Sequence, residues 1–126
     1  DVRYYETDQM GIVHHSNYIR YFECGRIDLL EKCGLPIHKI EEAGVMLPVI
    51  SVECRYKVPA KLGDRLRVIS IIDSVPMAKL HIRNEIYSED NVLLCEGSVT
   101  LGFIDSTTRR PVRCPKDLSI VIEKNM

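Results

Sequence analysis

Ser16-Asn17-Tyr18-Ile19-Arg20-Tyr21-Phe22-Glu23-Cys24-Gly25-Arg26-Ile27-Asp28-Leu29-Leu30-Glu31-Lys32 is the stretch on which the fold turns. Tyr18, Phe22, Gly25 and Leu29 recur on one face of a helix, flanked by Ile19, Arg26, Leu30 and Cys33. Arg20, Glu23, Glu31 and the Asp28–Lys32 pair at i,i+4 supply its polar positions. Ser16 is the expected N-cap, because its hydroxyl can accept from an early backbone N–H. Gly34 is the expected stop, with Pro36 two residues later. Gly25 in mid-helix costs about 1 kcal/mol relative to Ala, and the return it predicts is a sheet lying close against the helix backbone.

On either side of this helix the pattern changes. Residues 1–6 read as a strand, and Asp8 to Gly11 as a turn into the helix. Pro36 to Ala43 reads as a short second helix. Four strand-like runs follow: Met46 to Tyr56, Leu66 to Val75, Lys79 to Tyr87 and Val92 to Ile104. Pro59 to Asp64 is a connection, Ser88-Glu89-Asp90-Asn91 is a hairpin turn, and Asp105 to Pro111 is another turn. Asp117 to Lys124 reads as a short terminal helix. Strands that come after a single long helix predict an α+β fold with an antiparallel sheet. A curved sheet wrapped around one central helix would bury the helix's apolar face.

The 126 residues suffice for one domain and one core. Hydrophobic residues make up 45% and charged residues 28%, the profile of a soluble globular chain. No run approaches the roughly 20 apolar residues that span a bilayer, so no membrane span is expected. The chain opens on Asp1-Val2-Arg3 without a signal peptide or an initiator Met, so a few upstream residues are expected to be missing. Net charge is −1 and dispersed, which gives no basic stripe for nucleic acid. The five cysteines, Cys24, Cys33, Cys54, Cys95 and Cys114, are odd in number and widely spaced, with no C-x-x-C. They read as buried thiols in a reducing cytosol, not as a disulfide framework or zinc site.

Chemistry concentrates in Tyr4-Tyr5-Glu6-Thr7-Asp8-Gln9-Met10-Gly11-Ile12-Val13-His14-His15-Ser16-Asn17-Tyr18. A carboxylate, a glycine turn and a helix N-terminus fall within a dozen residues. Unpaired N–H groups at a helix N-terminus can hold the oxyanion that forms when a carbonyl is attacked. A nearby ionised carboxylate can serve as nucleophile or as general base on water. A thioester needs little more, since its carbonyl is electrophilic and its thiolate leaves readily.

The same stretch resembles the 4-hydroxybenzoyl-CoA thioesterase family of hotdog proteins, including the bacterial short-chain acyl-CoA thioesterases grouped with it. The family pattern D-x-x-G-x-V-x-(Y/H/N)-x-x-Y reads here as Asp8, Gly11, Val13, His15 and Tyr18. The likeness continues in Tyr21-Phe22-Glu23-Cys24-Gly25-Arg26, Leu47-Pro48-Val49, Tyr56 to Asp64, Gly102 to Asp105 and Arg110-Pro111. It covers essentially the whole chain. It implies a hotdog fold, an antiparallel sheet around one long central helix, in a single domain over residues 1–126. It implies that Asp8 is the catalytic carboxylate, that the backbone N–H of His15 binds the thioester carbonyl, and that Gly11 lets the chain turn beneath the substrate. Asn17 and Tyr18 then support the loop and pocket, and Val13 contacts substrate. The family's basic cluster near the third strand is reduced here to Lys79, so CoA phosphates are expected to fall to Lys61, Arg109, Arg110 or Arg113. The resemblance further implies a homo-oligomer, dimer or tetramer, with sites at the subunit interface, and no metal or other cofactor.

Other readings stand beside this one. Asp8 alone could be a turn residue. His14 and His15 are adjacent and point apart, so they make poor metal co-ligands. Cys24 lies about two turns into the helix, too deep to be activated at its tip. Glu23 is a second candidate carboxylate, although pairing with Arg20 or Arg26 accounts for it. At the level of function the expected activity is acyl-CoA hydrolysis in the cytoplasm. The alternatives are hydrolysis of an acyl carrier protein thioester, or a non-catalytic acyl-CoA-binding module.

Overall fold

The computed structural model describes all of residues 1–126. Helix α1 spans Ser16–Lys32 and α2 spans Ile37–Glu42. Strands β1 (Val45–Met46), β2 (Val49–Tyr56), β3 (Arg67–Ile71), β4 (Lys79–Tyr87), β5 (Leu93–Gly102) and β6 (Ile104–Asp105) follow, and α3 (Lys116–Lys124) closes the chain. The main sheet is wholly antiparallel in the order β2-β5-β4-β3, and β1 pairs with β6 in a two-stranded ladder. The sheet wraps α1, as expected for the hotdog fold.

Alternation in β4 shows how the sequence makes the core. Leu80, Ile82, Asn84 and Ile86 point inward and are buried, while Lys79, His81 and Arg83 between them face water. Strand β5 adds Leu94, Cys95, Val99 and Leu101, and α1 adds Tyr18, Phe22 and Leu30. Phe103, Ala60, Ile40 of α2 and Leu118 and Ile122 of α3 complete one continuous cluster. Asn84 is the polar member of the inward row. It accepts from Ser70 Oγ at 2.9 Å and donates to Ile82 O at 3.3 Å, which offsets its burial.

Gly25 meets the sheet where expected. A Cβ there would overlap Ser70 Oγ and lie 2.9 Å from Val68 Cγ1, so β3 runs against bare helix backbone. The helix stop also falls as read. Gly34 takes φ +89°, and Leu35 N–H turns back to Leu30 O at 3.1 Å.

Several sequence expectations need correction. Residues 1–6 do not form a strand; Tyr4–Glu6 form a 3-10 turn. Local bonds capture the segment: Arg3 N–H donates to Glu6 Oε1 at 2.9 Å, and Thr7 Oγ1 to Tyr4 O at 2.7 Å. Ser16 does not cap α1. His15 holds the N-cap position, and the Ser16 hydroxyl lies 2.9 Å from His14 Nδ1. Leu66 to Val75 yields only Arg67–Ile71 as strand, Met46 to Tyr56 is interrupted at Leu47-Pro48, and Val92 to Ile104 divides into β5 and β6 around Phe103. Nor are the cysteines uniformly buried: Cys95 is, Cys33, Cys54 and Cys114 are half-buried, and Cys24 is exposed. No helix is long and apolar enough to cross a membrane.

Candidate active site

The segment before α1 folds into a tight loop that aims its carboxylate. Thr7 bridges to Val13, and Asp8 N–H donates to Ile12 O at 2.9 Å, closing the loop on itself. Gly11 makes the reversal with φ +77°, a conformation costly for any residue with a Cβ. Met10 N–H donates to Asp8 Oδ1 at 2.7 Å, which fixes the carboxylate and leaves Oδ2 without a protein partner.

The loop is anchored to the rest of the fold at three points. His14 N–H and the Asn17 side-chain amide both donate to Glu6 O, at 2.8 and 3.0 Å. Val13 N–H donates to Ala60 O at 2.8 Å, and Ala60 N–H donates to the Tyr18 hydroxyl oxygen at 3.0 Å. Tyr18 and Asn17, both buried, thus tie α1 to the 7–13 loop and the 58–62 connection.

Asp8, Ile12, Val13, His15 and Tyr18 line one cavity of about 310 Å³ with Tyr56, Lys57, Val58 and Pro59. Asp8 is half-buried there, and its wall is largely apolar. At the helix tip, Asn17 N–H is taken by His14 O and Tyr18 N–H by His15 O, while His15 N–H donates to no group of the protein. The cavity therefore brings together a fixed carboxylate, apolar walls and His15, the residue at the positive end of the helix whose N–H has no protein partner.

Tyr56 closes the far side. Its hydroxyl donates to His15 O at 3.1 Å, and its ring packs edge-on against Tyr18 at 5.2 Å and His15 at 6.3 Å. Although half of Tyr56 is exposed, its phenol is pushed up to about 12, by loss of surrounding water first and by the Cys54 thiol second. The hydroxyl thus remains a donor across the neutral range. Burial likewise raises Tyr18. Lys57 lies beside the cavity and pairs with Glu96 at 3.5 Å.

The remaining sequence-derived candidates are dispersed. Lys61 bridges to Ile12 and is exposed beside the loop. Lys79 begins β4 opposite Gly102 and does not line the cavity. Arg109, Arg110 and Arg113 lie beyond β6, exposed, and none lines it either. Arg109 has φ +63° and reaches Met46 Sδ at 4.0 Å. Glu23 pairs with Arg26 at 3.8 Å, on a different part of α1. No three His, Cys, Asp or Glu side chains come together as a metal-binding group. Sequence reading missed Tyr56, Lys57, Val58 and Pro59 as cavity wall, because their place beside Asp8 depends on how β2 packs over the tip of α1.

Residues 2–122 match the thioesterase-like superfamily. The acyl-CoA thioester hydrolase YbgC of Escherichia coli is 30% identical over 122 residues, which is 97% of this chain and 90% of that protein. The crystal structure of the protein TT1821 from Thermus thermophilus superposes with a TM-score of 0.92 at 36% identity, covering 98% of this chain and 94% of that one. The DHNA-CoA thioesterase of Staphylococcus aureus superposes with a TM-score of 0.92 at 28% identity, covering 98% and 85%. Together with the fold and the loop that carries Asp8, these matches establish that the chain belongs to the thioesterase-like superfamily and has its hotdog fold.

Proposed function

We propose that this protein hydrolyses the thioester of an acyl-CoA to a free acid and CoA, with Asp8 as the catalytic carboxylate. The observation that carries the reading is the cavity in which half-buried Asp8 shares a wall with His15 at the tip of α1. The thioester carbonyl oxygen takes the free N–H of His15, which stabilises negative charge as it develops. Asp8, held through Oδ1, presents Oδ2 to the carbonyl carbon or to a water beside it. Either way one water is consumed, the C–S bond breaks, and the thiolate leaves to take a proton. Gly11 sets the loop, Asn17 and Tyr18 brace it, and Val13 and Tyr18 contact the acyl or pantetheine chain. Lys61, beside the loop, is assigned to the CoA phosphates.

Lys79, Arg109 and Arg110 serve the phosphates only if a second copy of the chain brings them to this cavity. A homo-oligomer, dimer or tetramer, fits the surface. Strand β2 is the outermost strand of the sheet, eight residues long, with Val49, Ile50, Val52 and Tyr56 exposed. A long apolar edge of this kind is a template for pairing. Ile19 and Ile27 of α1 are also more than a third exposed. Light scattering should give a dimer or tetramer mass; a monomer at micromolar concentration would overturn this part. Five unpaired thiols fit a reducing, cytoplasmic setting.

The test is release of free thiol from a panel of acyl-CoA substrates, with one acyl group also presented on acyl carrier protein. Turnover of one or more CoA thioesters is expected. A marked preference for the protein carrier would transfer the reading to that substrate, and binding without turnover would make the protein a non-catalytic module.

A further inference from the structure

Two histidines stand together at the tip of α1, and the proposed hydrolysis uses only the backbone of the second. The imidazole of the first, His14, is built into the helix. Ser16 N–H donates to His14 Nδ1 at 3.3 Å, and the Ser16 hydroxyl lies 2.9 Å from the same nitrogen. His15 already has helical angles, φ −53° and ψ −30°. His14 therefore stands just before the first helical residue, and its ring takes an amide of the first turn as a capping side chain does. No acidic side chain lies in that turn. Only an unprotonated nitrogen can accept, so the hydrogen-bond pattern assigns the neutral tautomer with its proton on Nε2.

The backbone of His14 is held as firmly as its ring. Its N–H donates to Glu6 O at 2.8 Å, and its carbonyl accepts from Asn17 N–H at 3.0 Å. The peptide that joins His14 to His15 is trans and planar. Holding His14 O along the helix thus turns the His15 N–H the opposite way, out of the helix tip. That N–H is the donor assigned to the thioester carbonyl.

We propose that His14 is a positioning residue for thioester hydrolysis: its neutral ring caps α1 and so aims the His15 N–H at the substrate carbonyl. The role rests on the proposed hydrolysis at Asp8; the cap stands on its own geometry. Protonation of the ring removes the acceptor of Ser16 N–H. It also places a positive charge at the positive end of the helix dipole, with the His15 ring centroid 4.2 Å away. The other ionisable groups around the tip are engaged elsewhere. The Glu6 carboxylate accepts from Tyr21 and from Arg3 N–H, Asp8 accepts from Met10 N–H, Tyr56 donates to His15 O, and Lys57 pairs with Glu96. Neither His14 nor Ser16 lies on β2, so pairing of that edge with a second copy leaves the cap in place. Imidazoles change charge between about pH 5 and 8. The rate should therefore fall as pH drops through that range, because misplacing the donor by about 1 Å can cost on the order of a hundredfold.

The test compares wild type, His14→Ala and His14→Asn. Thiol release from an acyl-CoA gives kcat and KM from pH 5 to pH 8. Nuclear magnetic resonance gives the His14 ring nitrogen shifts and the hydrogen exchange of the Ser16 amide. Asn caps helices well and does not titrate. His14→Ala should lower kcat at pH 8 at least about tenfold by the misplacement argument, with KM little changed. His14→Asn should restore most of that rate and remove the wild-type fall toward pH 5. At pH 8 the wild-type ring should carry its proton on Nε2, and the Ser16 amide should exchange faster in His14→Ala. A wild-type proton on Nδ1, or unchanged Ser16 exchange in His14→Ala, would overturn the cap. Full kcat in His14→Ala, or a fall toward pH 5 that persists in His14→Asn, would overturn the positioning role. If no acyl-CoA is hydrolysed, that role falls with the hydrolysis, and the ring shifts and amide exchange still decide the cap.

Discussion

Gly25→Ala tests the packing of α1 on the sheet. The added methyl would overlap Ser70 Oγ and sit 2.9 Å from Val68 Cγ1, so either the helix lifts or β3 gives way. Ser70 cannot swing aside freely, because its hydroxyl donates to Asn84 Oδ1 at 2.9 Å, and Asn84 is 1% exposed. Overpacking of this kind costs about 1–3 kcal/mol. Stranding the Asn84 oxygen adds about 1–3 kcal/mol, and the better helix propensity of Ala returns about 1 kcal/mol. The balance is a loss of about 3 kcal/mol, read as a lower urea midpoint by far-UV circular dichroism. Ser70→Ala in the same background removes the overlapping atom, so the double variant should lose less than the two single losses added together. If Gly25→Ala matches or exceeds wild-type stability, the helix does not lie against bare strand and the packing argument fails.

Three further outcomes follow from the same structure. Gly97→Ala places a methyl against the backbone of Glu53, where no side chain can yield, so it should destabilise by more than about 3 kcal/mol or prevent folding; a soluble variant with an unchanged midpoint contradicts this. Tyr18→Phe leaves the buried Ala60 N–H without an acceptor and should cost about 1–3 kcal/mol, read by the same denaturation. Cys114 is pushed up to about 11 by burial, so the native state keeps that proton while the unfolded chain loses it near 9. Stability should therefore fall as pH rises between those values, and Cys114→Ala should flatten the fall; the urea midpoint at pH 8 and pH 10.5 measures it.

The sequence carried the central helix well because its period, its mid-helix glycine and its Gly34 stop all agree. Strand β4 was legible for the same reason, alternation over nine residues. The opening segment misled because Tyr4 and Tyr5 look strand-like, yet they are 80% and 69% exposed and the Arg3–Glu6 bond bends the chain first. Of the candidate site, the local loop was readable: Asp8, Gly11 and His15 are close in sequence, and a turn joins them. The cavity's other wall was not, because Tyr56 comes to His15 only through the curvature of β2 over the helix tip. Short-range pattern does not encode that long-range register. The scattered basic residues illustrate the same limit, for Lys79, Arg109 and Arg110 do not line the cavity within one subunit.

The most direct test of the account is steady-state thiol release from an acyl-CoA by wild type and Asp8→Asn, with folding of both checked by circular dichroism. Asn keeps an oxygen for the Met10 N–H and so preserves the loop, but it can neither attack nor take a proton. The expected result is a kcat about a thousandfold lower, equal to about 4 kcal/mol of lost transition-state stabilisation, with KM little changed. A folded Asp8→Asn protein that turns over at the wild-type rate would contradict the assignment of Asp8 as the carboxylate that does the chemistry.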